Sequence, residues 1–443
     1  MKILLKNGTI VNENKIYTSD VLIENEKIID ITKSIPDEIA DKVFDLKGCL
    51  ILPGIIDAHV HFREPGLTYK GDFYSESKAA ILGGITTIID MPNTKPFCDS
   101  EDLLIEKINL ASQKSLTNFG FFLGASEKNY SNIKNINKTL YAGVKIYMSS
   151  SNTNEILKNY KIIEFIFLNS PKKIAIHSES DEIINKNFQY YKKKLNNISF
   201  TYHHKIRNRK ACIKATKEIL NIALKVRANI NIMHVSTKEE LEIIENANIK
   251  LNTITAEICL PHIAFDSLDY KKYGSLIKIN PSIKTPKDKK KLLDSINKKF
   301  IGNIATDHSP HTLDEKLNNI YEKTPSGIPF IQHSLLYMLN LYFKGKIKIE
   351  DIVEKMCHSP SIIYGIRNRG FLRKNYYADI VVVDPNQYLK VTRDNILYKC
   401  KWSPFIGKRF KGKIIYTFVN GELIQKNGEI INDKKGKHLE YEY

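Results

Sequence analysis

His59 and His61 stand two residues apart in the run Gly54-Ile55-Ile56-Asp57-Ala58-His59-Val60-His61-Phe62-Arg63-Glu64-Pro65-Gly66. The run is apolar and β-branched until Pro65-Gly66 ends it, which predicts a strand. Side chains two apart on a strand share a face, with Cα atoms roughly 6.5 Å apart. Both imidazoles can therefore close on one ion, and neutral imidazole is the commonest metal ligand. An isolated pair of this kind is ordinarily structural. Here, further candidate ligands end later apolar runs. His177 ends Ile174-Ala175-Ile176-His177, His234 follows Ile232-Met233, and Asp307 follows Ile304-Ala305-Thr306. Four imidazoles and a carboxylate at strand ends predict a metal site.

Lys145, in Gly143-Val144-Lys145-Ile146-Tyr147-Met148, is the least expected member. A lysine inside an apolar strand is costly to bury unless it is paired or neutral. It either snorkels or pairs, or its site keeps it neutral so that it can react with carbon dioxide. The resulting carbamate has two oxygens and can bridge two metals.

The elements that must position these residues follow a regular order. Eight apolar runs, at 55–61, 85–91, 119–123, 143–147, 174–177, 230–235, 251–256 and 301–307, alternate with helical stretches such as 100–115, 211–226 and 238–247. That alternation predicts an α/β fold with a parallel sheet, and eight repeats predict a closed (β/α)8 TIM-type barrel. Such barrels carry their active sites at the C-terminal ends of the strands. His61 ends the first run, Asn93 follows the second, His177 ends the fifth, His234 lies near the end of the sixth and Asp307 ends the eighth. Both chain ends read differently. Short strands at 2–5, 9–11, 20–24, 27–31 and 43–45 precede the barrel. Others at 379–385, 414–419 and 422–425, the last two joined by the turn Asn420-Gly421, follow it. Residues 1–52 and 370–443 are thus expected to form one small composite β-domain, with the barrel at 53–369.

Composition narrows the function classes. The 443 residues contain no stretch approaching the ~18 apolar residues of a membrane span. Met1–Gly8 reads as a first strand and not as a signal peptide. The six cysteines are scattered without a C-x-x-C pair, which suits a reduced cytosol; a cytoplasmic location is expected. The net charge of +18 invites a nucleic-acid reading. Yet the lysines are spread along the whole chain and no nucleic-acid module accompanies them. Ile, Asn and Tyr, whose codons share the A/T-rich bias of Lys, are abundant too. Solvated surface lysine is the better reading, and neither nucleic acid nor membrane is an expected partner.

The motifs resemble those of the dihydroorotases of the amidohydrolase superfamily, in the long bacterial class with an added β-domain. The matching stretches are 54–66, Asp90-Met91-Pro92-Asn93-Thr94, 143–148, 174–179, 234–237, Asn280-Pro281 and 306–312. The likeness extends over essentially the whole chain. It implies that His59, His61 and Asp307 bind a first, more buried Zn2+, that His177 and His234 bind a second, and that carboxylated Lys145 bridges the two. It further implies that Arg63, Asn93 and His311 hold the substrate carboxylate, with His61 nearby, while Asn280 and the Ser326-Gly327 backbone contact the ring. Asp307 would be the catalytic base. The implied reaction is the reversible cyclisation of N-carbamoyl-L-aspartate to dihydroorotate in pyrimidine (UMP) biosynthesis. His308 is not a ligand under this resemblance, and His262 stays unassigned.

Two departures and three alternatives go with it. The run after the asparagine is Asn280-Pro281-Ser282-Ile283-Lys284, where the family often has an arginine; lysine keeps the charge but not the fork. Some long-class relatives carry aspartate in place of the bridging lysine; Lys145 sorts this chain with the carbamate users, and Ser149-Ser150-Ser151 offers no substitute carboxylate. Allantoinases and the hydantoinase/dihydropyrimidinase group share the fold, metals and lysine, but their substrates lack the ring carboxylate that Arg63 suits. An inactive scaffold for aspartate transcarbamoylase would have lost metal ligands, and all six are present. A homodimer, and association with aspartate transcarbamoylase alongside activity, stay open.

Overall fold

The computed structural model describes residues 1–149 and 155–442; Ser150 and Ser151 of the serine run lie outside them. The chain enters through Lys2–Asn12 (β1), Lys15–Glu24 (β2), Lys27–Thr32 (β3), Lys42–Asp45 (β4) and Leu50–Pro53 (β5). The two runs expected at 2–5 and 9–11 are one strand, whose register slips between Leu5 and Gly8. Such a bulge bends a strand without ending it.

Eight strands then follow: Ile55–Val60 (β6), Ile85–Asp90 (β7), Asn118–Gly124 (β8), Gly143–Tyr147 (β9), Ile174–His177 (β10), Ile230–Ile232 (β11), Thr255–Cys259 (β12) and Ile301–Ala305 (β13). They pair in sequence order, every neighbour parallel. Closure occurs just past β13. Val60 bridges His308, and the His61 amide donates to the His308 carbonyl at 2.8 Å. Asp57 adds a side-chain clasp, accepting from the Thr306 hydroxyl at 2.6 Å. Every residue of these strands is buried, as expected of a parallel sheet covered on both faces.

The helices outside are amphipathic. Arg209–Val226 buries Ala211, Ala215, Ile219 and Ala223, one residue per turn. Asn208 caps its start by accepting from the Ala211 amide, and Arg227, at φ 56°, turns the chain out of it.

The seventh strand corrects the expectation of 251–256. The preceding helix runs on to Lys250, Leu251 closes it, and the strand begins only at Thr255. The charged Glu257 disguised this strand, because an apolar run was expected to stop before it. The sixth and eighth strands also end earlier than expected. His234 and Asp307 take positive φ angles, 39° and 50°, that leave the strand path.

After the barrel come Ile380–Lys390 (β14), Arg409–Val419 (β15), Glu422–Lys426 (β16) and Glu429–Ile430 (β17). The second sheet runs β17-β16-β15-β14-β5-β1-β2-β3, with β4 beside β1. Its two halves come from opposite ends of the chain. They join where β5 pairs antiparallel with β14, from Pro53 opposite Ile380 to Leu50 opposite Val383. This sheet has its own core of residues such as Leu5, Ile51, Ile380 and Phe418. The final residues leave it. Gly436 donates to the Ser115 carbonyl, and Lys437 and Leu439 exchange backbone bonds with Phe119 of β8. Among the described residues, no helix is long and apolar enough to cross a membrane.

Candidate active site

β6 delivers His59 at its end and His61 just beyond. The Nε2 atoms of both rings face one carboxylate oxygen, Oδ1 of Asp307, at 3.4 and 3.1 Å. The far nitrogen of each ring is occupied. His59 Nδ1 lies 2.7 Å from Glu257 Oε1, and His61 Nδ1 lies 2.6 Å from Asn93 Oδ1. An oxygen acceptor at Nδ1 fixes the proton there and leaves the Nε2 lone pair pointing inward, which is how metal-binding histidines are usually held. Burial holds the His61 ring down to about 4, so it is neutral at physiological pH. Burial pushes the Asp307 carboxyl up, but His59, His61 and Lys145 outweigh it and hold the group ionised, well below the usual carboxylate range.

A second pair converges beside the first. His177 Nδ1, at the end of β10, lies 2.8 Å from His234 Nε2, two residues past β11. The His59 and His234 rings are 5.4 Å apart, centroid to centroid. His234 Nδ1 is buried with no hydrogen-bond partner among the described residues. Burial, with His177 and Lys145 nearby, holds this ring neutral.

Lys145 is fully buried in the middle of β9. Its Nζ donates to the Met233 sulfur at 2.7 Å and makes no ion pair within 4 Å among the described residues. Burial lowers its amine to about 8, against the opposing pull of Glu257 and Asp307. An unpaired amine, poised partly neutral among four imidazoles, fits a lysine that becomes a carbamate. The converging Nε2 and Nδ1 atoms and the ionised Asp307 fit a pair of divalent cations.

Next to this centre sits a cationic cradle. Arg63 is buried at 3 % exposure and takes φ 71°. Left-handed backbone at a non-glycine residue costs roughly 1–3 kcal/mol; Arg63, His234 and Asp307 all bear it where the chain leaves a strand. Arg63 Nε donates to the Pro310 carbonyl at 3.1 Å, and Nη2 lies 3.1 Å from His311 Nε2. Lys70 Nζ donates to His311 Nδ1 at 2.9 Å and pairs with Glu315 at 2.8 Å. Arg63 itself has no carboxylate within 4 Å among the described residues.

The remaining expected contacts lie on the neighbouring wall. Asn280 and Ser326 line a cavity of about 370 Å³ together with Phe188, His203, Arg207 and Lys278. The Asn280 side-chain oxygen is shielded from solvent with no hydrogen-bond partner among the described residues. Gly327 is spoken for: its amide donates to the Lys278 carbonyl at 2.9 Å and its carbonyl accepts from Lys316 Nζ at 2.8 Å. A Cβ on Gly327 would sit 2.5 Å from the Ser309 carbonyl and 2.7 Å from the His311 ring, so the chain passes here only as glycine.

The carboxylate that orients His59 went unrecognised in the sequence. Glu257 orients His59, and it shared with Lys145 the one visible signal, a charge inside an apolar strand. His308 faces away, tied to Glu76 at 2.8 Å and accepting from the Phe330 amide. His262 Nε2 reaches the Pro281 carbonyl at 3.0 Å. Lys284 turns onto Ser282. Cys259, 3.3 Å from Glu257, could complete an alternative cluster with His59; burial pushes its thiol far up, and a protonated thiol is a poor ligand.

Residues 50–424 match the amidohydrolase family. The chain belongs to this family. It is 32 % identical over 432 residues to the dihydroorotase of Methanosphaera stadtmanae, covering 97 % of each chain. It is also 32 % identical over 435 residues to the dihydroorotase of Pyrococcus horikoshii, covering 98 % of this chain and 94 % of that one. Among solved structures, the L-hydantoinase (dihydropyrimidinase) of Arthrobacter aurescens superposes with a TM-score of 0.94 at 24 % identity, over 99 % of both chains. The dihydropyrimidinase of Brevibacillus agri superposes at 0.92 and 22 % identity, over 100 % of this chain and 99 % of that one. As an amidohydrolase of this kind the chain is an enzyme, a hydrolase of cyclic amides on a TIM-type barrel.

Proposed function

We propose that this amidohydrolase is a dihydroorotase, interconverting N-carbamoyl-L-aspartate and (S)-dihydroorotate in pyrimidine biosynthesis in the cytoplasm. The observation that carries the reading is Arg63. A buried guanidinium without a carboxylate partner is costly unless a ligand supplies one. It stands beside the proposed metal centre, and a guanidinium takes a carboxylate through a two-pronged fork. The ring carboxylate of dihydroorotate answers that demand; hydantoins and dihydropyrimidines do not carry it. The dihydroorotases of similar sequence support the same choice.

His59, His61 and Asp307 would hold one Zn2+, His177 and His234 the other, and Lys145 as its carbamate would lie between them. Bound there, such ions would lower the pKa of a water and polarise the scissile carbonyl. The chain's own groups do the rest. Arg63, the Asn93 amide and His311 bind the carboxylate and so place the ring amide. The Asn280 oxygen accepts from a ring N–H. Asp307 takes a proton from the attacking water and delivers it to the ring nitrogen as the C–N bond breaks; in the biosynthetic direction the same proton travels back. Met233 and Tyr147, buried against the Lys145 amine, keep water from that side of the centre.

A substrate panel on zinc-loaded protein tests the assignment. Dihydroorotate and N-carbamoyl-L-aspartate should interconvert, with allantoin and dihydrouracil turned over far more slowly. Faster hydrolysis of allantoin or dihydrouracil than of dihydroorotate would overturn it.

A further inference from the structure

Glu179 lies two residues beyond His177, is fully buried, and touches neither proposed cation position in the scheme just given. Its Oε2 stands 2.9 Å from His177 Nε2. Arg207 grips the same carboxylate: Nε lies 3.1 and 3.3 Å from its two oxygens, and Nη2 binds Oε2 as well. Nη2 also donates to the Ser149 hydroxyl at 2.9 Å, and that oxygen lies 3.1 Å from His177 Nε2. One ring nitrogen of His177 is thus enclosed by a carboxylate, a hydroxyl and the guanidinium that orders both. The other ring nitrogen faces His234.

An ionised carboxylate only accepts, so the nitrogen it meets carries the hydrogen. The Arg207 guanidinium, set against both oxygens of Glu179, pairs with it as a carboxylate. A buried ion pair of this sort is ordinarily no more stable than apolar packing of the same volume. Its use is therefore to be sought in what it orients. Glu257 does the same for His59 at the first position, held there by the Asn303 amide at 2.9 Å. Arg207 extends the arrangement outward, since it also lines the cavity shared with Asn280 and Ser326.

We infer that Glu179, clamped by Arg207, is a positioning residue that fixes His177 in the Nε2–H form and aims its Nδ1 lone pair at the second cation position beside His234. The inference rests on the proposed ligand roles of His177 and His234. Loss of a partner of this kind typically weakens metal binding 10–100-fold.

The test compares full-length parent, Glu179→Gln, Arg207→Lys and His177→Asn proteins. Each is stripped of metal, then titrated with Zn2+ against a competing chelator and with Co2+ followed by its visible absorption. Glu179→Gln keeps the shape but loses the charge. It should bind one of two cations about 10-fold more weakly, with shifted Co2+ bands and the other cation unaffected. A purely structural ion pair would lower the melting temperature and leave both affinities at the parent values, which overturns the inference. Should Glu179→Gln not fold, Arg207→Lys, which keeps charge but not the fork, decides by the same readings. His177→Asn separates this inference from the ligand assignment beneath it. If that variant binds both cations like the parent, the ligand assignment fails. If it loses one while Glu179→Gln and Arg207→Lys lose none, only the positioning role fails.

Discussion

The side-chain oxygen of Asn93 lies 2.6 Å from Nδ1 of His61, and Nε2 of the same ring lies 3.1 Å from Asp307. Asn93 therefore has two ends with two jobs. Its oxygen holds the ring, and under the proposed function its amide hydrogens would meet the substrate carboxylate. Asn93→Ala should raise KM for dihydroorotate and also weaken cation binding at the first position by about 10-fold. Equilibrium metal titration beside steady-state kinetics checks both. A change in KM with unaltered metal affinity would leave Asn93 a substrate contact only.

Arg63 offers the sharpest test of substrate choice. Arg63→Met removes the charge and both prongs of the fork while keeping much of the length. Losing a charge-assisted interaction of roughly 3 kcal/mol should lower kcat/KM for dihydroorotate about 10²-fold. Any residual activity on a ring without a carboxylate should be nearly unchanged. Equal losses on both substrates would mean that Arg63 acts on the fold and not on the carboxylate.

The proposed function gives Asp307 a ligand role and a proton role that one substitution can part. Asp307→Asn keeps an oxygen near His59 and His61 but cannot take a proton. Metal content should fall modestly, while kcat falls at least about 10²-fold, the low end of general acid–base contributions. Turnover near the parent rate in both directions, with both metals present, would rule out the proton role. If the variant loses all metal, the pH–rate profile of the parent enzyme carries the decision.

Lys145→Ala should lose metal together with activity, because the bridging group goes with the side chain. Short carboxylic acids supplied in solution should restore part of both, standing where the carbamate would be. Mass spectrometry under native conditions, or electron density, should show the added carboxyl on the parent lysine. A bare amine beside two fully occupied metal positions would refute the carbamate.

Gly120 in β8 faces the returning C-terminal tail. A Cβ there would lie 2.2 Å from the Tyr441 hydroxyl and 2.9 Å from Leu439. Gly120→Ala should therefore cost stability on the scale of an overpacked core, about 1–3 kcal/mol, read as a lower melting temperature. Deleting residues 436–443 removes the clash, so Gly120→Ala should then be close to neutral. Additive losses in the two changes would show that the tail does not press on this glycine.

The sequence by itself singled out the candidate side chains that the fold gathers at one end of the barrel. His59, His61, His177, His234 and Asp307 stood out because each breaks an apolar run at or near a strand end, and Lys145 because it is a charge inside one; a polar side chain in either place needs a reason. Alternating runs and helices also determined the barrel, since parallel strands covered on both faces must be apolar throughout. Strand limits were less legible. His234 and Asp307 read as strand residues, but positive φ angles lift them off the strand, and no side-chain pattern encodes a dihedral angle. Only the tertiary structure decided the partners. Glu257 meets His59 across 198 residues of chain, and Arg207 meets Glu179 from a different helix connection. His308 and His311 are three apart in one motif, yet one turns to Glu76 and the other to the cradle of Arg63 and Lys70. The physical reason is the same in each case. A ligand is announced by its own type and local run, whereas what orients it is fixed by distances between elements that are remote along the chain.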